Sequence, residues 1–108
     1  MEDLFRQQLG RLKEYHFLVL YWAAEAEVKG VKYNITNAFD DLKDLNITRT
    51  KQSVVAYVEA LYALCFIDMK EERNRKNIYL SESGAEALES LVKSSSFSTN
   101  QSRFLEGL

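Results

Sequence analysis

Apolar and polar positions change rhythm several times along the chain, and each change marks an element. Leu4, Phe5, Leu9 and Leu12 recur at helical spacing with polar residues between them. Residues 2–28 therefore read as helix, with Gly10 dividing a short first helix from a longer second one. From Tyr15 to Ala24 (YHFLVLYWAA) the apolar side chains run nearly all round. Such a segment must be covered on most sides, and it predicts the central core helix. It reaches about half of the ~20 residues that a bilayer span requires, so no membrane segment is expected. Lys29-Gly30 closes the helix with a residue suited to a left-handed cap. VKYNIT (31–36) is a run of β-formers and predicts a short strand. Thr36 or Asn37 then caps a second helix carrying Phe39, Leu42 and Leu45 on one side. Asp40, Asp41 and Asp44 fall among its remaining positions and read as a solvated face.

The next rhythm is ITRTKQSVVAYVEALYALCFI. Thr48 or Thr50 caps it, and Val54, Val55, Val58, Leu61, Tyr62 and Leu64 form a buried stripe ending near Cys65-Phe66. Phe66 to Met69 predicts a strand, EERNRKN a turn, and IYL the returning partner. Ser81 or Ser83 caps a last helix, Gly84 to Lys93. SSSFSTNQS is polar and serine-rich, which predicts a frayed tail with a small apolar ending at Phe104, Leu105 and Leu108. The domain reading is one unit over 1–93, its N-terminal helix available for dimerisation, and a polar tail over 94–108. There is no internal repeat. The predicted fold is mainly α with a small β-hairpin, in the order of a winged helix-turn-helix. Helices 36–45 and 48–65 are the helix-turn-helix, and 67–80 is the wing.

Composition narrows the function. With 108 residues, 46% hydrophobic and 28% charged, the chain suits one ordinary globular domain. Its formal charge is −2, so no overall basic field points to nucleic acid. Locally the balance differs: residues 46–80 carry six Lys/Arg against four Asp/Glu, while 38–45 and 81–108 are acidic. Phosphate contacts are made by such a patch and not by net charge. One cysteine permits no disulfide within the chain, and the N-terminus lacks a basic region followed by an apolar stretch, so a reducing cytoplasm is expected. Catalysis finds no support. His16, in an apolar helix, reads as a satisfied core or interface residue, and Cys65, in an apolar run, as inert packing. One Cys and one His do not supply the usual zinc ligand set, and there is no glycine-rich phosphate loop or nucleophile elbow. No enzyme activity, cofactor or metal is expected.

Two stretches carry candidate chemistry. A helix laid in the major groove offers its first turns to base edges and its amides to phosphate. Thr48, Arg49, Thr50, Lys51, Gln52 and Ser53 are short polar or cationic groups of that kind, with Tyr57 one turn later. Arginine can bridge guanine, glutamine can bridge adenine, and hydroxyls bind phosphate or base. The second stretch, Arg73, Asn74, Arg75, Lys76 and Asn77, puts three cations and two amides at a hairpin tip that can follow a phosphate strand or enter the minor groove. Charged tips also keep hairpins soluble, and Glu71 and Glu72 stand close by to pair with these cations.

Across residues 13–92 the chain resembles the MarR-type winged-helix regulators. KEYHFLVLYWAAEAE is similar to the helix leading into that family's DNA-binding lobe. TKQSVVAYVEALYALCFI resembles its recognition helix, and EERNRKNIYLSESGAEAL its charged wing followed by "leucine-threonine-x-x-glycine". Three departures stand out. Cys65 occupies the place of a glycine that supports a left-handed backbone. Glu72-Arg73-Asn74 stands nearest the family's Asp-x-Arg. The terminal helices that pair subunits are short. The resemblance implies a double-stranded DNA partner with a roughly palindromic operator, and a homodimer joined through Leu4, Phe5, Leu9, Leu12 and the tail. It also implies a small aromatic ligand, for which Tyr15, Tyr21 and Trp22 are the lining candidates. The alternative is a winged-helix protein-interaction module whose wing and third helix bind another protein.

Overall fold

Burial on every side of one helix organises the molecule. In the computed structural model, which describes residues 2–108, α1 (Glu2–Gly10) leads into α2 (Glu14–Lys29). Met1, the first residue of the domain expected over 1–93, lies outside the described residues. Phe17, Leu18, Val19, Leu20, Trp22, Ala23 and Ala26 of α2 are all buried. Around α2 pack α3 (Ile35–Asp44), α4 (Lys51–Ala63), strand β2 (Arg75–Leu80) and α5 (Glu82–Lys93). Strand β1 (Ile67–Glu72) pairs antiparallel with β2, from Ile67 opposite Leu80 to Glu72 opposite Arg75, and α6 (Arg103–Glu106) ends the chain. The fold is a mainly helical winged helix-turn-helix with a two-stranded wing.

Four helices stop in the same way. A left-handed residue follows the last turn, and two amides return to carbonyls of that turn. Gly30, Asn46, Cys65 and Ser95 take φ of 73°, 60°, 63° and 53°. At the end of α4, Cys65 N donates to Tyr62 O (2.9 Å) and Phe66 N to Leu61 O (3.0 Å). The chain therefore leaves α4 by the exit a glycine would favour, with cysteine accepting the strain. Cys65 is exposed, which corrects the expectation of a packed thiol. The reason is its place at the turn, outside the stripe of Val54, Val58 and Leu61 that faces the core.

The corner after the wing is tight. Ser81 Oγ donates to Cys65 O (2.6 Å) and accepts from Gly84 N (3.0 Å), so Ser81 is the cap of α5, which begins two residues before the expected Gly84. A Cβ on Gly84 would stand 1.8 Å from Phe66 O, so only glycine lets this helix approach the α4 exit.

Four other expectations are corrected. Residues 31–36 do not form a strand: one bridge joins Asn34 to Asn77, with Ile78 N donating to Tyr33 O (2.8 Å), and Ile35 already belongs to α3. Asn34, not Thr36 or Asn37, is the cap. Its Oδ1 accepts from Asn37 N (2.9 Å) while Asn37 Oδ1 accepts from Asn34 N (3.1 Å), a reciprocal pair that outweighs the β-propensity of its neighbours. Asp41 is not on a solvated face; it is 2% exposed. Its carboxylate accepts from Tyr33 Oη (2.6 Å), Ser102 Oγ and Phe104 N (3.0 Å). The segment after α5 is consequently not frayed. Leu105 and Ser102 are buried, Trp22 Nε1 donates to Asn100 O (2.8 Å), and Arg103 pairs with Asp44 (2.6 Å). Burial and the adjoining carboxylate push the Tyr33 phenol far above its ordinary pKa, so it stays a donor.

Candidate nucleic-acid interface

The first turn of α4 is built by capping, which sorts its polar residues into two groups. Thr50 Oγ1 accepts from Ser53 N (3.2 Å) and shares a hydrogen bond with Ser53 Oγ (2.8 Å), so both hydroxyls are engaged within the helix start. Thr48 is 6% exposed and its Oγ1 donates to Thr50 O (3.3 Å), which staples the loop from inside. Arg49, Lys51 and Gln52 are exposed. Lys51 Nζ donates to Thr36 Oγ1 (3.0 Å), tying the start of α4 to the start of α3. Tyr57 is half-buried and stacks on Tyr15 with ring centroids 3.8 Å apart, His16 meeting it edge-on. That ring braces α4 against the start of α2.

The wing tip is a two-residue turn, not the seven-residue EERNRKN. Arg73 and Asn74 take φ of 52° and 65°, the pattern of a type I′ turn, whose twist matches the strands it joins. Arg75 and Lys76 are the first residues of β2, and all four are exposed. Asn77 is 4% exposed and donates through Nδ2 to Glu72 Oε1 (2.9 Å), so it belongs to the root of the wing.

Glu72 does not neutralise the tip. It accepts from Tyr79 Oη (2.5 Å) as well as Asn77, and Lys32 lies 3.9 Å away. The Tyr79 and Asn77 hydrogen bonds hold its carboxyl below the usual range. Lys32 donates to Tyr79 Oη (2.8 Å), and that bond, with Glu72 beside it, raises its own pKa. Among the described residues, Arg49, Arg73, Arg75 and Lys76 have no ion pair, although Glu71 and Glu72 stand directly across the ladder from Lys76 and Arg75.

These parts converge. A cleft of about 550 Å³ is lined by the start of α3 (Thr36, Asn37), by Lys51 and Val55 of α4, and by Asn74, Arg75 and Lys76 of the wing. The start of one helix, one lysine from a second and two cations from a hairpin thus border the same space.

Two solved structures share this architecture. Bordetella bronchiseptica BpsR, whose DNA binding is regulated by 6-hydroxynicotinic acid, is 17% identical and superposes over 87% of this chain and 64% of its own, with a TM-score of 0.62. F-93 of SSV1 is 15% identical over 80% of this chain and 90% of its own, with a TM-score of 0.58. The chain thus spans about two thirds of the BpsR chain's length. No protein-family model matches the chain, and no curated protein does. What is shared is the winged-helix fold.

Sequence reasoning missed the contribution of α3. In the sequence Thr36 and Asn37 read as alternative caps; with Asn34 taking that task, Thr36 is left at the cleft beside Lys51. The aromatic residues considered for a ligand space are dispersed. Trp22 is fully buried and Tyr15 is stacked on Tyr57, while Tyr21 alone borders an apolar groove between α2 and α5.

Proposed function

We propose that the chain is a sequence-specific, MarR-like DNA-binding regulator that acts as a homodimer. The first turn of α4 enters the major groove, and the wing follows the backbone or the minor groove. One observation carries this reading: the start of α3, Lys51 of α4 and the cations of the wing border a common cleft, and Glu72, one of the two carboxylates across the ladder from those cations, is already engaged by Tyr79, Asn77 and Lys32. A protein that uses charge only for solubility has no need of that convergence. The fold shared with BpsR, a protein with regulated DNA binding, supports the same reading.

The proposed contact set is Arg49, Lys51, Gln52, Arg73, Asn74, Arg75 and Lys76, with Thr36 and Asn37 of α3 at its edge. Thr48, Thr50, Ser53 and Tyr57 act behind it as supports. Of the residues expected to join subunits, Leu12 is buried and Phe5 and Leu9 pack against the core. A subunit contact therefore draws on the exposed apolar side chains Leu4, Val28, Val92 and Leu108, two of which border the groove of about 1090 Å³ between α2 and α5.

The test is a titration of duplex binding against salt. Log affinity should fall linearly with log salt, and replacing Arg73, Arg75 and Lys76 together by alanine should lower the slope by about 0.9 for each phosphate no longer neutralised. A folded protein that binds no duplex at low salt would sink the proposal and favour the protein-interaction module.

A further inference from the structure

The exposed rows of α4 converge on one carboxylate. Lys51 and Val55 line the cleft, and the next residue of that i, i+4 row is Glu59. Gln52 and Ala56 form the neighbouring exposed row, and Glu59 follows Ala56 by three residues. Val54, Val58 and Leu61 occupy the buried side, so Glu59 points away from the core. It lies about 12 Å along the helix from Lys51, at 1.5 Å per residue. Between them, Ala56 offers a single methyl, which lets the helix backbone come close to whatever it faces. Among the described residues Glu59 has no ion pair and no side-chain hydrogen bond.

A carboxylate in that position has nothing to gain from phosphates, which repel it. The major-groove edge offers it two kinds of donor, the N4 amino group of cytosine and the N6 amino group of adenine. Adenine places the N7 acceptor beside its amino group, and two acceptors repel. Cytosine has no acceptor there. We infer that Glu59 is a specificity-determining residue that accepts a hydrogen bond from cytosine N4, beyond the bases reached by Lys51 and Gln52. This inference rests on the proposed placement of α4 in the major groove.

The experiment is selection of bound sequences from a random duplex pool by the wild-type chain, Glu59→Gln and Glu59→Ala, each checked for unchanged thermal unfolding. The wild-type motif should contain a cytosine preferred on the order of tenfold in each half-site. Glu59→Gln should move that one position toward adenine, because an amide satisfies N6 and N7 together. Glu59→Ala should flatten the same position and leave the rest of the motif unaltered. A motif without such a cytosine, or a uniform gain in affinity by Glu59→Ala with an unchanged motif, overturns the inference while leaving the DNA-binding reading intact. Failure of every variant, wild type included, to enrich any sequence overturns both.

Discussion

Arg73 is the residue at which folding and function should pull in opposite directions. It holds φ of 52° at the first central position of a type I′ turn, a place where glycine or asparagine is favoured. A non-glycine residue in the left-handed region costs about 1–2 kcal/mol, of which the extra chain entropy of glycine takes back about 0.5–1. Arg73→Gly should therefore stabilise the fold by up to about 1.5 kcal/mol, raising Tm by up to roughly 6 °C in a domain of this size. The exposed guanidinium has no ion pair among the described residues, so its loss costs the fold nothing comparable. Duplex binding should weaken all the same, with the salt slope falling by about 0.9 for the one phosphate left unneutralised. Cys65→Gly is the control. It relieves the same kind of strain at φ of 63°, touches no charge, and should raise Tm without changing the slope. Thermal unfolding and fluorescence-detected duplex titration over a salt series measure both quantities. A stabilised Arg73→Gly with an undiminished salt slope would remove Arg73 from the interface, and a destabilised one would refute the account of the turn.

Gly84→Ala should cost about 3 kcal/mol or more, because the added carbon meets the Phe66 carbonyl at 1.8 Å and backbone on both sides must move; chemical denaturation measures it. Asp41→Ala should destabilise by roughly 3 kcal/mol by stranding the buried donors of Tyr33 and Ser102, with hydrogen exchange at residues 100–106 rising first. His16 should make stability pH-dependent. Its Nδ1 accepts from Lys13 N (2.9 Å), and burial, assisted by Lys13, lowers its pKa. With the folded pKa below the unfolded one, the unfolded chain binds more protons in between. The contribution is therefore complete above about pH 6.5, the unperturbed value, and is lost as pH falls through the lower folded value. His16→Gln keeps an acceptor at the third helical position and should flatten Tm between about pH 7 and 5.5; an unchanged pH profile would assign the dependence elsewhere.

Periodicity made the frame readable. The all-round apolar run of α2 and the stripe of α4 each specify an element and its buried side without knowledge of the partner. Within α4, however, only Val54, Val58 and Leu61 are buried; Val55 and Leu64 are half-buried, and Tyr62, expected in that stripe, is 55% exposed. The errors arose where the deciding partner is distant in sequence. Asp41 reads as solvent-facing because its donors Ser102 and Phe104 lie 61 and 63 residues later. Those contacts also explain the tail: a serine-rich segment has little to bury by itself, yet one buried carboxylate, one indole donor and Leu105 are enough to hold it. At Asn34 the competition was local, between β-propensity and a side chain that satisfies two helix-start amides with its neighbour, and the amides won.

The proposed interface followed a different logic. Composition identified TRTKQS and ERNRKN as polar and cationic, but a hydroxyl near a helix start serves the helix before it serves a ligand. Thr48, Thr50 and Ser53 all make that choice here, while the cations, which cannot accept an amide hydrogen, remain facing outward. The same exclusion operates at the wing. Tyr79 and Asn77 reach Glu72 first because they are donors fixed on the hairpin itself, whereas Arg75 and Lys76 must give up side-chain freedom to pair in water for a gain of at most about 1 kcal/mol. Local satisfaction of polar groups thus takes up Glu72 and the hydroxyls and leaves Lys51, Arg75 and Lys76 at the rim of the cleft. If that ordering is right, Tyr79→Phe frees Glu72 to turn toward Arg75, and duplex affinity should fall although no residue at the cleft has been altered.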